Sequence, residues 1–140
     1  MPFRHQVEVQ VGDIDELGHA SNLVYLRWTL DAALAHSTAV GLDQRAYLDR
    51  GEGWVVRRHE IDYLRPAFAG EQLVVETRVT AFGAASSLRR TSIVRPSDGA
   101  LLCSATTEWA YVGFARGRPR RIPDEVRMRF PIEPDDDGRR

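Results

Sequence analysis

The chain has 140 residues, 43% of them hydrophobic and 28% charged, with a formal net charge of -1. That is enough for one core in one domain, and the near-neutral balance excludes the global basic field that nucleic-acid binding brings. The single cysteine, Cys103, excludes an internal disulfide and a thiolate metal site, and no apolar stretch approaches the ~20 residues of a membrane span.

The opening Met-Pro-Phe-Arg-His-Gln lacks the apolar run of a signal peptide, so a cytoplasmic protein is expected. All 19 basic residues are arginine, which we read mainly as genomic base composition, although arginine also suits bidentate phosphate contacts. Residues 3–12 alternate, with Phe3, His5, Val7, Val9 and Val11 on one face, and predict a half-buried strand. A loop at 13–20 leads into a helix from about Asn22 to Val40. Leu23, Leu26, Leu30, Ala33, Leu34 and Ser37 form one stripe of it, and Val24, Trp28, Ala32, Ala35 and Ala39 most of another. A helix this apolar on most sides is expected to be enclosed by other structure.

Gly41 stands where a helix C-terminal glycine is expected, and residues 43–50 can add a short second helix. Past Gly51-Glu52-Gly53 the pattern changes to strands: Trp54 to Leu64, stopped by Pro66, then Gln72 to Phe82, then Ser87 to Val94. Pro96-Ser97-Asp98-Gly99 carries hairpin turn chemistry, and Leu101 to Val112 gives the last strand. Cys103 among Leu101, Leu102 and Ala105 reads as a buried, inert thiol. Five strands, four of them consecutive after the helix, predict an α+β arrangement: an antiparallel sheet wrapped round one long central helix. A helical turn is expected at 124–129. The domain is drawn at 1–132, with 133–140 as a disordered tail.

The chemistry concentrates in Asp13-Ile14-Asp15-Glu16-Leu17-Gly18-His19-Ala20-Ser21-Asn22-Leu23-Val24-Tyr25. Asp15 and Gly18 fall just before the helix start, where unpaired backbone N–H groups and the positive end of the macrodipole can hold a developing negative charge. A carboxylate beside such donors is what addition of water to a polarised carbonyl needs. Asp13 and Asp15 can equally serve only to cap the helix or bend the loop. The residue types leave both readings open.

The stretch Asp-x-Asp-x-x-Gly-His-x-x-Asn-x-x-Tyr, followed by a long apolar helix, resembles the signature of the hotdog-fold acyl-CoA thioesterases of the 4-hydroxybenzoyl-CoA thioesterase type. The resemblance covers about the first nine-tenths of the chain. It departs from the commoner Gly-His-Val-Asn-Asn by reading Gly-His-Ala-Ser-Asn at residues 18–22. It implies a hotdog fold, Asp15 as nucleophile or general base, and Gly18 and the His19 backbone as oxyanion donors. Asn22 is then the helix N-cap or the holder of a water beside the carboxylate, and Tyr25 is core or packs on the acyl group.

Tyr63 and Arg65, read as alternating to one face before Pro66, border a substrate channel or simply end a strand. Arg57, Arg58, Arg89 and Arg90, helped by Ser86 and Ser87, are candidates for coenzyme A phosphates at the surface or members of a solvated face. No metal and no cofactor are expected. The partners implied are acyl-CoA, with acyl-carrier protein as the other possible carrier, and further copies of the chain in a homodimer or homotetramer. No nucleic acid or membrane is expected. Two rival readings stand beside hydrolysis: a non-catalytic acyl-CoA or lipid-binding module, and a hotdog hydratase or dehydratase.

Overall fold

A computed structural model describes residues 1–134. Five strands form one antiparallel sheet: β1 (Phe3–Glu8), β2 (Glu52–Tyr63), β3 (Gln72–Phe82), β4 (Ser86–Arg95) and β5 (Ala100–Gly113), in the spatial order β1-β3-β4-β5-β2. One long helix, α1 (Asn22–Ala39), packs on a single face of that sheet, with α2 (Gln44–Arg50) and α3 (Asp124–Arg127) short and peripheral. This is the helix-on-sheet architecture expected from the strand count.

Register determines what faces the helix. Val75 pairs with Ile93, Ile93 with Cys103, and Cys103 with Tyr63, so these side chains share the inner face. Arg78, Arg90, Thr106 and Glu60 line up on the other face. The main core joins Val24, Tyr25, Trp28 and Ala32 of α1 to Leu73, Val75, Ile93 and Leu102. A second cluster at the carboxyl end of α1 gathers Leu42, Val79, Tyr111, Ile122, Val126 and Phe130. Cys103 is buried, and burial pushes its thiol up to about 12, consistent with the inert role expected.

Four local expectations need correction. The first strand stops at Glu8 because the chain turns into a 3-10 segment, Val11–Asp13, which leaves Val11 82% exposed instead of on the core face. The helix is not enclosed on most sides. Only one stripe meets the sheet, and Leu23 and Leu34 remain 75% and 59% exposed. The predicted strand to Leu64 ends at Tyr63, after which Leu64 and Arg65 both donate to the Leu102 carbonyl (2.8 and 3.1 Å). The alternation that put Tyr63 and Arg65 on one face does not carry past that break. Finally, Glu133 of the expected tail is tied in: its N–H donates to the Val79 carbonyl (2.9 Å), and its carboxylate pairs with the Met1 ammonium (2.9 Å). Residues 135–140 of that tail lie outside the described residues.

Candidate active site

The loop between β1 and α1 treats its two aspartates differently. Asp13 is 7% exposed and fully engaged. Its Oδ1 accepts from Arg27 Nη2 (2.9 Å), its Oδ2 from the Gln10 N–H (2.9 Å), and its carbonyl from the Ser21 N–H (3.0 Å). The carboxylate therefore ties the strand end to the helix surface, and the main-chain carbonyl of the same residue holds the helix start. Asp15 is exposed, on a turn closed by Asp15 N–H to the His19 carbonyl and Gly18 N–H to the Asp15 carbonyl, both 3.0 Å. Its Oδ1 accepts from the Leu17 N–H (2.9 Å), an Asx-turn contact. Its Oδ2 bonds to no described residue.

Gly18 has φ 89°, a left-handed conformation that a side chain would strain. Because its N–H already serves the turn, its oxyanion-donor reading does not fit this geometry; its contribution is the turn itself. The His19 N–H makes no hydrogen bond among the described residues. The His19 ring lies edge-on to Phe68 at 6.5 Å between centroids, with Nδ1 3.4 Å from the Ala20 carbonyl.

Asn22 is not the cap. Ser21 is: its Oγ accepts from the Leu23 N–H (3.2 Å) in extended backbone, and Asn22 is the first helical residue, exposed. The serine that departs from the commoner motif thus takes over the cap, a role its residue type advertises. Tyr25 is 3% exposed, stacks on Trp28 and lies tilted against Tyr63 (both 5.6 Å), and donates its hydroxyl to the Arg65 carbonyl (2.7 Å). Desolvation pushes its hydroxyl up to about 12, so it stays a donor at any ordinary pH. Tyr63 is 44% exposed at the end of edge strand β2, with the Arg65 side chain exposed just beyond.

Sequence reading placed four arginines at the surface for phosphates. Arg57 and Arg58 are exposed on β2, and Arg90 lies on the outer face of the sheet. Arg89 is the exception: alternation along β4 turns Ser87, Arg89, Thr91 and Ile93 inward, and Arg89 is 6% exposed beneath the carboxyl half of α1. Neither Ser87 nor Arg89 can meet a phosphate at the surface. The alternation itself carried the signal, since Arg89 sits in phase with Ile93. The Asp13–Arg27 pair, fourteen residues apart, left no sequence signal beyond opposite charge.

Around Asp15 the structure brings together an exposed carboxylate, the His19 amide and the amino end of α1, all on one loop. Ser87 and Arg89 belong to the other end of the helix: at about 1.5 Å per residue, Ser37 beside them lies roughly 22 Å from Asn22. Among the described residues no group of three His, Cys, Asp or Glu side chains could hold a metal ion. No helix is long and apolar enough to cross a membrane.

Comparison with known proteins fits this picture. Residues 9–130 match the model of the thioesterase-like superfamily. A 1,4-dihydroxy-2-naphthoyl-CoA thioesterase from Synechocystis superposes with a TM-score of 0.85 at 18% identity, covering 92% of this chain and 95% of that one. A probable thioesterase from Bartonella henselae does so with a TM-score of 0.82 at 25% identity, over 88% and 100%. The Staphylococcus aureus protein SAV2348, solved in complex with CoA, gives a TM-score of 0.86 at 15% identity, over 92% and 81%. Most of the chain thus matches one family, and the chain belongs to the thioesterase-like superfamily: a hotdog-fold protein and, by family, an enzyme of the thioesterase kind.

Proposed function

We propose that the protein hydrolyses acyl thioesters of coenzyme A, with Asp15 as the acting carboxylate. The observation that carries this reading is the division of labour in the loop. Asp13 spends both oxygens on structure, while Asp15 keeps Oδ2 unengaged on the loop that leads into α1. The His19 and Asn22 N–H groups, not taken up by the turn or by the Ser21 cap, are the donors for the oxyanion.

In the general-base path Asp15 takes a proton from water and the hydroxide adds to the thioester carbon. The tetrahedral oxyanion is held by the amides; the C–S bond then breaks, and the thiolate leaves with the proton. In the nucleophilic path an Asp15 oxygen adds instead, the thiolate leaves, and water cleaves the resulting anhydride. In this reading Asn22 holds the water, and Tyr63 and Arg65 border the acyl entrance.

Asp15 is exposed in a lone chain, and water-excluded chemistry needs a cover. A second copy supplies it. Strand β2 is a twelve-residue edge with Val55, Val56 and Tyr63 exposed, Leu64 follows it directly, and Leu23, Leu34 and Phe68 are further uncovered apolar residues. Such an edge pairs readily with its own copy across a two-fold axis. We take the working form as this dimer, alone or doubled to a tetramer. The unpaired Cys103 suits a reducing, cytoplasmic compartment.

The test follows free thiol over a panel of short, long and aromatic acyl-CoAs. Asp15→Asn should lower turnover about 10²–10⁴-fold while the variant stays folded and binds substrate; unchanged turnover removes Asp15 from the role. No cleavage of any thioester by the wild type would leave a binding module. Leu34→Arg should shift the protein toward monomer in light scattering and lose activity with it.

A further inference from the structure

A second site lies at the opposite end of α1 from Asp15. A cavity of about 260 Å³ opens between α1, α2 and the inner face of the sheet, lined by Arg89, Trp109, Trp54, Phe82, Leu48 and Phe130 among others. At about 30 Å³ per water-sized atom it holds roughly nine non-hydrogen atoms, the size of benzoate. Its walls are mainly aromatic and aliphatic, yet it contains a buried cation.

Arg89 pairs with no carboxylate among the described residues. Its hydrogen bonds both leave from Nη1, to Thr77 Oγ1 and to His36 Nδ1 (each 3.0 Å), and its guanidinium lies 5.8 Å from the Phe130 ring centre. Nε and Nη2 donate to no described residue. The partners at Nη1 are neutral: the Thr77 hydroxyl is shared with Thr91 (3.0 Å), and burial and the nearby Arg89 charge hold His36 down to about 4. Burial lowers Arg89 to about 10, which leaves it charged at neutral pH.

A second donor is stranded beside it. The Trp109 indole Nε1–H is buried with no acceptor in the structure. Elsewhere on the wall Trp54 Nε1 donates to the Tyr47 hydroxyl (3.1 Å), Tyr47 pairs with Ser37 (2.9 Å), and Ser37 donates to the Leu42 carbonyl (2.6 Å). Beside the buried Ser87 hydroxyl, which can donate or accept, the unengaged groups are donors and include a desolvated positive charge. An unpaired buried cation is costly, and a carboxylate with an apolar body would satisfy it while filling the aromatic walls.

We propose that this cavity is a binding site for a small carboxylate on an apolar or aromatic body, with Arg89 as its anion anchor and the Trp109 N–H as a second donor. The carboxylate is either a free acid or the far end of an acyl group. The inference does not need Asp15 to be catalytic, because the binding arm of its test involves no turnover.

In that arm, calorimetry compares benzoate and hexanoate with benzamide and hexanamide on the wild-type protein. The acids should bind at least about tenfold more tightly than their amides. Arg89→Gln should erase the difference. Should that variant fold poorly, Leu48→Trp, which fills the exposed rim and leaves Arg89 in place, should abolish binding of both acids. The second arm compares turnover of hexadecanedioyl-CoA and hexadecanoyl-CoA, whose chains are long enough to run the length of α1. A preference for the dioyl substrate that collapses in Arg89→Gln identifies the acyl terminus as the source, whereas an unchanged ratio with benzoate binding lost identifies a free acid. Equal binding of acids and amides by the wild type, or acid binding that survives Leu48→Trp, overturns the proposal.

Discussion

The two ends of α1 are built from different materials. At the amino end, main-chain groups and short polar side chains from one continuous segment, residues 10–23, bond to one another over 2.9–3.2 Å, and one oxygen of Asp15 and the His19 N–H stay outside these bonds. At the carboxyl end, side chains from α1, α2 and four strands enclose a cavity around one buried guanidinium. The first end is polar and local in sequence; the second is mainly apolar, concave and assembled from distant segments. A rigid helix joins them, so one scaffold carries an exposed anion at one end and a sequestered cation at the other.

The contrast within the amino end is the largest effect to measure. Asp15→Asn should cost activity about 10²–10⁴-fold and leave the unfolding midpoint in place. Asp13→Ala strands the Gln10 N–H and the Arg27 guanidinium, and should lower stability by about 1–3 kcal/mol in denaturant unfolding. If Asp15→Asn destabilised as much as Asp13→Ala, the division between the two carboxylates would fail.

The carboxyl end should instead betray itself through pH. His36, stacked on Phe3 at 5.0 Å and edge-on to Phe130 at 5.1 Å, is held down to about 4 by burial and Arg89, against 6.5 in an unfolded chain. Between those values the unfolded chain takes up a proton that the folded one refuses. Its stabilising contribution is thus complete above pH 6.5 and lost as pH falls toward 4, on the order of 2 kcal/mol after discounting for partial exposure. Urea titrations at pH 7.5 and 4.5 should record that loss, and His36→Gln should flatten it. A variant with an undiminished slope would move the effect elsewhere.

The smallest effect separates cap from neighbour. Ser21→Ala should cost about 0.5–2 kcal/mol, and Asn22→Ala no more than about 0.5 kcal/mol. The reverse ranking in thermal melts would restore asparagine as the cap.

The strands and the long helix were readable because period-2 and period-3.6 patterning reflects local geometry; β3 runs over the same Gln72–Phe82 that the alternation gives. Asp15 was singled out only by the resemblance of its loop to a family motif, since the residue types alone left catalysis and loop structure both open. What escaped depended on pairing across the fold. Whether Asn22 or Ser21 caps the helix turns on backbone at a single residue, and the inward turn of Arg89 required the register of β4 against β3. The exposed stripe of α1 looked like core because its residues are apolar, and apolarity does not say whether sheet or second subunit covers them.

The strand order carries a consequence for how the molecule assembles. β3, β4 and β5 follow one another through short hairpins, whereas Phe3 must find Thr77 and β2 must cross to the far side of β5. Loop-closure entropy favours the meander first and the two flanks afterwards. Residues 13–20, slung between the late-arriving β1 and α1, then sit in the least cooperative part of the protein. Their amides should exchange deuterium sooner than those of β4, and occupancy by a thioester should slow them, making amide exchange a sensor of what the loop holds.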